Sequence, residues 1–236
     1  MLRIRWFPAS WLIVERDDAT VYVDPAYIRS YFDSYPSRVD YARWPDPIDG
    51  LPEPDLPTAD AILITHAHKD HCKAVTVRRL SKPETAVYAP ARCRAELGKG
   101  FTPVAEGDSF SAAGFEVTAV PAYNTPEGRS TKKQHKRGDG VGYVLRAGDS
   151  SIYHAGDTDL IPEMERIVDI DCAFLPVGGR FTMDPGEAAE AVSVIAPGSA
   201  VPMHYRDPRQ AEDFAVRLQR AGMRCSAIGI GESVIV

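Results

Sequence analysis

Three of the six histidines of this chain lie in one short segment, His66-Ala67-His68-Lys69-Asp70-His71. The segment directly follows the apolar run Ala61-Ile62-Leu63-Ile64, which is typical of a short buried strand. Imidazole nitrogens and carboxylate oxygens are the usual protein ligands of Zn²⁺ and similar divalent ions. Two histidines spaced i, i+2 at a strand end point their rings the same way. A polar strand end with solvated histidines is the alternative, but it suits a lone histidine better than this cluster. We therefore predict a metal site.

The bulk composition is that of a soluble globular protein. The chain has 236 residues, of which 44% are hydrophobic and 25% charged, so we expect one domain over residues 1–236. No apolar run approaches the roughly 20 residues that cross a bilayer, and the N-terminus lacks the pattern of a signal peptide. The four cysteines are widely spaced, and Cys72 is better explained as a buried apolar residue than as a metal ligand. These features predict a cytoplasmic protein without a membrane partner.

The order of strands and helices indicates an α/β protein. An N-terminal meander of three strands is followed by strands that alternate with helices in the second half, which favours two packed sheets with outer helices. Asp184-Pro185-Gly186-Glu187 has the N-cap, proline and acid that start a helix. The predicted strands are 2–7, 11–15, 20–23, 61–65, 85–88, 141–146, 151–154, 172–177, 200–203, 224–228 and 233–236, with one or two further strands over 110–120. The predicted helices cover 73–80 and begin after Asp159, Asp184 and Asp207.

Four later motifs occur in a fixed order after the histidine segment: Pro121-Ala-Tyr-Asn124, His154-Ala-Gly-Asp157-Thr-Asp159, Leu175-Pro-Val-Gly-Gly179 and Pro202-Met-His204-Tyr205. Together these segments resemble the metallo-β-lactamase-fold hydrolases, and they look closest to the branch that contains ascorbate-6-phosphate lactonase. The resemblance implies an α/β (α+β) fold, a four-layer αβ/βα sandwich of two mixed sheets with outer helices. It agrees with the order of elements deduced from the residues.

The resemblance also implies a ligand set for one or two divalent ions. One ion would take His66, His68 and a third ligand, and the other would take Asp70, His71 and His204. Asp157 would bridge the two ions, and Asp24 would accept a hydrogen bond from a ligating imidazole. Zn²⁺ is the first choice for such ligands, while Mn²⁺, Fe and Ni²⁺ also suit them.

The third ligand of the first ion departs from the family pattern. A histidine usually follows the long central strand there, but this chain reads Pro121-Ala-Tyr-Asn124. The next histidine is His135, within the basic run Lys132-Lys-Gln-His-Lys-Arg, and we predict it as the replacement. The alternative is an exposed histidine and a first ion held by fewer protein ligands. His154 is left out of the metal site.

The reaction predicted from these ligands is metal-assisted hydrolysis. Water held by a divalent cation has its pKa lowered to about 7, so hydroxide is present at neutral pH. Asp70 is the predicted catalytic residue, orienting this nucleophile or shuttling a proton. The chain has no GxSxG elbow, P-loop or GxGxxG motif that would indicate a serine hydrolase, a phosphotransferase or a dinucleotide enzyme.

The substrate is less constrained by sequence. A solvated loop is the default interpretation of the five basic residues between Arg129 and Arg137, and attraction of an anionic substrate is the second. Together with Arg180, which an ordinary surface arginine explains equally well, they could favour a small anionic ester, lactone or phosphoester. Asn124, Arg180 and Tyr205 are the candidate substrate-binding residues. Core packing is the alternative for Tyr205, and a hydrogen bond that supports a ligand is the alternative for Asn124.

Two rival functions remain open at this stage. A nuclease or phosphodiesterase would use the basic run to hold a phosphate backbone, but the net charge of −6 makes nucleic acid an unlikely partner. A non-catalytic metal-binding protein would keep the fold without the reaction. The proline- and aromatic-rich residues 27–57 predict an ordered loop that is either a lid over the site or a cover for a sheet edge or subunit contact. A homo-oligomer stays open.

Overall fold

The structure is a computed structural model, and it describes residues 1–26 and 56–236. The strands of this part of the chain are β1 Arg3–Phe7, β2 Trp11–Arg16, β3 Ala19–Val23, β4 Ala59–Leu63, β5 Ser81–Pro90, β6 Thr102–Val104, β7 Ser109–Ala112, β8 Phe115–Pro121, β9 Val141–Ala147, β10 Ser150–His154, β11 Cys172–Pro176, β12 Ser199–Met203 and β13 Ser233–Ile235. The α-helices are α1 Ala74–Leu80, α2 Arg94–Leu97, α3 Pro185–Ile195 and α4 Pro208–Arg220. Short 3₁₀ helices cover Ala91–Cys93 and Pro162–Arg166.

The strands form two mixed sheets. The first sheet has the order β13-β1-β2-β3-β4-β5-β6, and the second has the order β12-β11-β10-β9-β8-β7. The early strands of each sheet pair antiparallel, whereas β3 to β6 and β10 to β12 run parallel. With the flanking helices, this arrangement confirms the predicted sandwich of two mixed sheets.

The first sheet is buried on both faces because its strands alternate two sets of apolar side chains. Leu12 and Val14 of β2 belong to the large core that also contains residues of the second sheet, α3 and α4. Trp11 and Ile13 of the same strand belong to a second core, which includes Val77 of α1. A strand sends successive side chains to opposite faces, so one sequence supplies both cores.

The two long helices begin at the predicted caps. Asp184 accepts a hydrogen bond from the backbone N–H of Glu187 at 2.7 Å, with Pro185 in the first turn of α3. Asp207 and Gln210 form a reciprocal capping box at the start of α4. Among the described helices, none has the length and apolar character needed to cross a membrane.

Two predicted elements were wrong. Residues 224–228 do not form a strand, since Cys225 makes only an isolated bridge with Ala200. The helix predicted after Asp159 is instead the 3₁₀ turn Pro162–Arg166, because the chain becomes extended at Ile167. The predicted loop of residues 27–57 lies, apart from its last two residues, outside the described residues.

The two sheets are joined beside the end of β4. The backbone N–H of Val141 donates to the carbonyl oxygen of Thr65 at 2.9 Å. The buried hydroxyl of Tyr143 on β9 donates to the carbonyl oxygen of Ile64 at 2.8 Å. These bonds fix the segment after β4 against the second sheet, so they set the position of the histidine segment.

We expect Tyr143→Phe to lower the free energy of unfolding by about 1–2 kcal/mol, because it leaves the buried Ile64 carbonyl without its donor. Tyr153→Phe is the matched control. Tyr153 is equally buried on the neighbouring strand, but its hydroxyl has no hydrogen-bond partner among residues 1–26 and 56–236. Removing that hydroxyl should leave stability unchanged or raise it. Urea unfolding of both variants tests this, and equal losses of stability would contradict the role given to Tyr143.

Candidate metal centre

Four strand ends supply most of the candidate site. Asp24 follows β3, the histidine segment 66–71 follows β4, Asp157 follows β10 and His204 follows β12. Each of these strands has a parallel neighbour, and side chains that follow parallel strands gather at the carboxyl edge of a sheet. Asp24 and His204 adopt left-handed backbone conformations, with φ of 47° and 54°. Both positions therefore store backbone strain at the site.

The first group of metal-competent side chains consists of three histidines and one carboxylate. His68 Nδ1 lies 3.0 Å from His66 Nε2 and 3.1 Å from His135 Nε2. Asp157 Oδ2 lies 3.3 Å from the same His135 nitrogen. One ligand atom from each of the four residues lies within 4.8 Å of all the others. The group can therefore surround a single ion.

The second group also lies beside Asp157. His204 Nε2 lies 3.2 Å from His71 Nε2 and 3.7 Å from Asp70 Oδ2. Asp157 places Oδ1 3.4 Å from His71 Nε2 and Oδ2 3.2 Å from His204 Nε2. The structure therefore brings all seven predicted metal ligands together, with Asp157 in contact with both groups.

The donor set fits divalent cations. Imidazole nitrogens of different histidines face one another at close range in both groups, an arrangement that a shared cation stabilises. Asp157 Oδ1 is buried and accepts no hydrogen bond from the part of the chain that the structure describes. A buried carboxylate oxygen without a partner is costly, and a bound cation would satisfy it.

Asp24 orients two of the histidines from behind. Its Oδ2 accepts a hydrogen bond from His71 Nδ1 at 2.7 Å and another from the Thr65 hydroxyl at 2.6 Å. Because the Thr65 hydroxyl donates to Asp24, its oxygen is left to accept from His66 Nδ1, at 2.9 Å. Nδ1 of each ring therefore carries a proton, and Nε2 of each ring is the atom that faces the site. Thr65 was missed from the sequence, although it stands between the apolar strand and His66.

The pKa shifts follow from burial and from the carboxylates. Burial lowers the pKa of His66 well below its usual value, with the neighbouring His71 acting in the same direction. Burial also opposes protonation of His71, yet the carboxylates of Asp157 and Asp24 raise its pKa well above the usual value. For Asp157, burial raises the pKa but the imidazoles of His204 and His71 outweigh it, so the carboxyl stays ionised. Positive charge is therefore favoured on His71, between its two carboxylates, and disfavoured on His66.

His135 is held in the first group by Asn124. Asn124 Oδ1 accepts from the backbone N–H of His135 at 2.9 Å and faces His135 Nδ1 at 3.2 Å. The carbonyl oxygen of Phe181 faces the same Nδ1 at 3.1 Å. Since both neighbours of Nδ1 can only accept, Nδ1 carries the proton and the Nε2 lone pair faces His68 and Asp157. The structure therefore places Asn124 behind the proposed ligand.

A buried network fixes Asn124 in turn. Its Nδ2 donates to the carbonyl oxygen of Phe181 at 2.9 Å and to Asp159 Oδ1 at 3.2 Å. The side chain of Asp159 is fully buried and pairs with Lys133 Nζ at 3.0 Å. Asp159 and Lys133 thus support the loop that carries His135. From the sequence, Asp159 is placed only before a predicted helix and Lys133 only in the basic run.

The remaining predicted residues fall in different places. Tyr205 stacks on Trp6 with ring centroids 5.4 Å apart, which is a packing contact. Arg180 is exposed, lies over the Phe181 ring and lines a cavity together with Asp70 and His204. His154 Nε2 instead lies 2.8 Å from the carbonyl oxygen of Ser10, away from both groups.

The basic run is largely neutralised by carboxylates. Arg129 pairs with Glu190, and Lys133 pairs with Asp159. Arg137 pairs with Glu163 at 2.7 Å and with Glu106 at 3.1 Å. Three of the five basic residues are therefore engaged within the chain. This weakens the expectation that the run as a whole attracts an anionic substrate.

Comparisons with known proteins agree with this site. The sequence profile of the beta-lactamase superfamily domain matches residues 29–205, which include every predicted metal ligand. A UPF0173 metal-dependent hydrolase of Methanopyrus kandleri is 34% identical over 94% of this chain and 94% of its own length. Among solved structures, a candidate metal-dependent hydrolase from Parabacteroides distasonis is 33% identical, with a TM-score of 0.78 over 96% of this chain and 92% of its own. A metallo hydrolase from the archaeon Ignicoccus hospitalis is 25% identical, with a TM-score of 0.70 over 99% and 97%.

We expect Asn124→Ala to weaken metal binding by about 10- to 100-fold, because His135 loses the acceptor that fixes its ring and its proton. Lys136→Ala, on the same loop, is the control and should bind metal as the unaltered protein does. Competition with a chelator of known affinity measures the dissociation constants. Equal affinities in Asn124→Ala and the control would show that Asn124 does not position a ligand.

Proposed function

Since this chain belongs to the beta-lactamase superfamily, among the UPF0173 metal-dependent hydrolases, we propose that it hydrolyses a small anionic ester, lactone or phosphoester. The observation that carries this proposal is the pair of histidine and carboxylate groups that share Asp157. A site of this size, built from distant segments, would hold the cations that metal-assisted hydrolysis requires. The relatives are metal-dependent hydrolases by name, which supports the same reaction class.

The proposed ligand assignment uses two ions. The first ion would be held by His66, His68 and His135, and the second by Asp70, His71 and His204, with Asp157 shared. The close approach of Asp157 to both groups supports this division. Imidazole-rich sites with carboxylates suit Zn²⁺ best, and Mn²⁺, Fe and Ni²⁺ remain acceptable to the same donors.

The chemistry that bound divalent cations supply is a water of lowered pKa, about 7, and polarisation of the bond to be cleaved. The chain supplies orientation, because Asp24 and Asn124 fix the rings of His71 and His135. Asp70 is the more accessible carboxylate, with 22% of its side chain exposed against 4% for Asp157. We assign it the catalytic role of orienting the nucleophile and accepting its proton.

The charges of the chain favour a small substrate over nucleic acid, and its cysteines favour a cytoplasmic location. The net charge is −6, and the paired residues of the basic run offer few cations to a phosphate backbone. The four cysteines are free, and Cys72, Cys93 and Cys172 are buried, which fits a reducing compartment.

His135→Ala and Asp157→Ala test the ligand assignment. We expect elemental analysis to find about one metal equivalent fewer in His135→Ala, and little bound metal in Asp157→Ala, because Asp157 serves both groups. Activity towards a panel of esters, lactones and phosphodiesters should fall by more than about 100-fold in both variants, since removing a ligand costs more than removing its support.

His154→Gln is the matched control, a buried histidine outside both groups, and it should keep its metal content. Thermal unfolding of all three variants separates loss of metal from loss of fold. Unchanged metal content in His135→Ala would refute its assignment as the third ligand. Full metal content without hydrolysis of any substrate in the panel would favour the non-catalytic alternative.

A further inference from the structure

One buried carboxylate lies outside both ligand groups. Glu187 is 4% exposed and lies in the first turn of α3. Its backbone N–H donates to the capping residue Asp184, but its side chain reaches out of the helix and accepts from two other segments. Burying a carboxylate is costly unless hydrogen bonds compensate for it, so the partners of Glu187 show which segments it holds.

The two segments that Glu187 joins both lead to ligands of the first group. Its Oε2 accepts from the backbone N–H of Arg129 at 3.1 Å, and its Oε1 accepts from the backbone N–H of Leu160 at 3.3 Å. Arg129 begins the basic run that carries His135, and Leu160 follows shortly after Asp157. His135 Nε2 and Asp157 Oδ2 lie 3.3 Å apart in the first group. One side chain is therefore bonded to both of the segments that meet there.

The loop before His135 also packs closely on a buried side chain beside this contact. A Cβ atom added to Gly128 would lie 2.2 Å from Asp159 Oδ2 and 2.6 Å from Asp159 Cβ, so the backbone of Gly128 lies directly against Asp159. Asp159 in turn accepts from Asn124, the residue that fixes the ring of the third ligand. By binding the N–H of Arg129, Glu187 holds this part of the loop against Asp159.

The hydrogen bonds to Glu187 favour its ionised form. Burial raises the pKa of Glu187, and the carboxylates of Asp159 and Asp184 act in the same direction, whereas the N–H groups of Arg129 and Leu160 lower it. Hydrogen bonds to an ionised acceptor are stronger than those to a neutral one. Removing the carboxylate would therefore release both segments from α3.

Resting on the ligand assignment of the proposed function, we propose that Glu187 is a positioning residue for the first ion. It fixes the segment of His135 relative to the segment of Asp157. The second group takes His71 and His204 from other strand ends, and neither is bonded to the segments that Glu187 holds through the contacts described above. Glu187 thus supports the affinity of one site and leaves the other unaffected.

Binding of Co²⁺ to the metal-free protein tests this role. Competition with a chelator of known affinity gives two dissociation constants, and His135→Ala identifies the one that belongs to the first site, because that variant should lose it. In Glu187→Ala we expect the first-site constant to rise about 10-fold, within the range for residues that support a ligand, while the other changes less than about twofold. Glu187→Gln keeps one acceptor oxygen and should give an intermediate loss.

Two further measurements follow the position of the loop without using activity. The visible absorption of Glu187→Ala with two equivalents of Co²⁺ should shift towards that of His135→Ala. Amide hydrogen exchange at Arg129 and Leu160 should become faster in Glu187→Ala, because both N–H groups lose their acceptor.

Glu190→Ala is the matched control. Glu190 lies one turn further along α3, is exposed, and binds Arg129 through the guanidinium and not through the backbone. Its removal should leave both dissociation constants and both exchange rates unchanged. A loss in this control equal to that in Glu187→Ala would overturn the proposal.

Adding Glu187→Ala to His135→Ala separates positioning from general support of the fold. The double variant keeps the second group, and its remaining dissociation constant should equal that of His135→Ala. A lower melting temperature of Glu187→Ala with both constants unchanged, or an equal rise of both constants, would show a structural role and overturn the proposal. Glu187→Gln, and Gly128→Ala, which disturbs the contact with Asp159 from the loop, provide the same test where Glu187→Ala does not fold.

The outcomes separate this inference from the proposed function. Two bound Co²⁺ ions whose affinities do not depend on Glu187 would overturn the positioning role and leave the hydrolase proposal standing. A loss confined to the first site, without hydrolysis of any ester, lactone or phosphodiester by the loaded unaltered protein, would overturn the hydrolase proposal alone. Binding of fewer than two Co²⁺ ions by the unaltered protein would overturn the ligand assignment and this inference with it.

Discussion

The site depends on one buried carboxylate that two groups of histidines share. Asp157 is 5% exposed and has imidazole nitrogens of His135, His71 and His204 within 3.4 Å. Burying an isolated carboxylate is costly, so its charge must be matched by protons on these rings or by cations between them. The carboxyl edges of both sheets meet around this residue, and Gly156, with φ of 65°, turns the chain to place it there.

In each ligand group, the Nδ1 atom of one histidine is held by a neighbouring side chain. That side chain is charged in one group and neutral in the other. An anionic carboxylate, Asp24, accepts from His71 Nδ1, while a neutral amide, Asn124, faces His135 Nδ1. An imidazole backed by a carboxylate is a stronger electron donor than one backed by an amide. We therefore expect the His71 group to hold its cation more tightly, and the His135 group to be the one that responds to small changes in its loop.

Metal ligands that follow a local pattern could be predicted from the sequence. Supporting residues that act through contacts between distant segments could not. Apolar runs ending in His66, Asp157 and His204 located the ligands, because strand ends and metal donors both leave a local signature. Thr65, Asp159 and Lys133 were not assigned their supporting roles, because those depend on contacts between separate segments, such as the one between Asn124 and Asp159. The same limit applies to the basic run, which reads as free positive charge until its partners Glu106, Glu163 and Glu190 are in place.

The two halves of the site therefore differ both in what holds the ligands and in what surrounds them. The half with His204 and Asp70 opens onto a cavity lined by Arg180 and Arg206, and the half with His66 and His68 opens onto one lined by Arg92, which pairs with Asp139. The Phe181 carbonyl accepts from Asn124 Nδ2 and faces His135 Nδ1, so the residue that follows Arg180 also supports the ligand group that is held less firmly. The lining of this cavity and the support of His135 are in this way connected through a single short segment, 180–182.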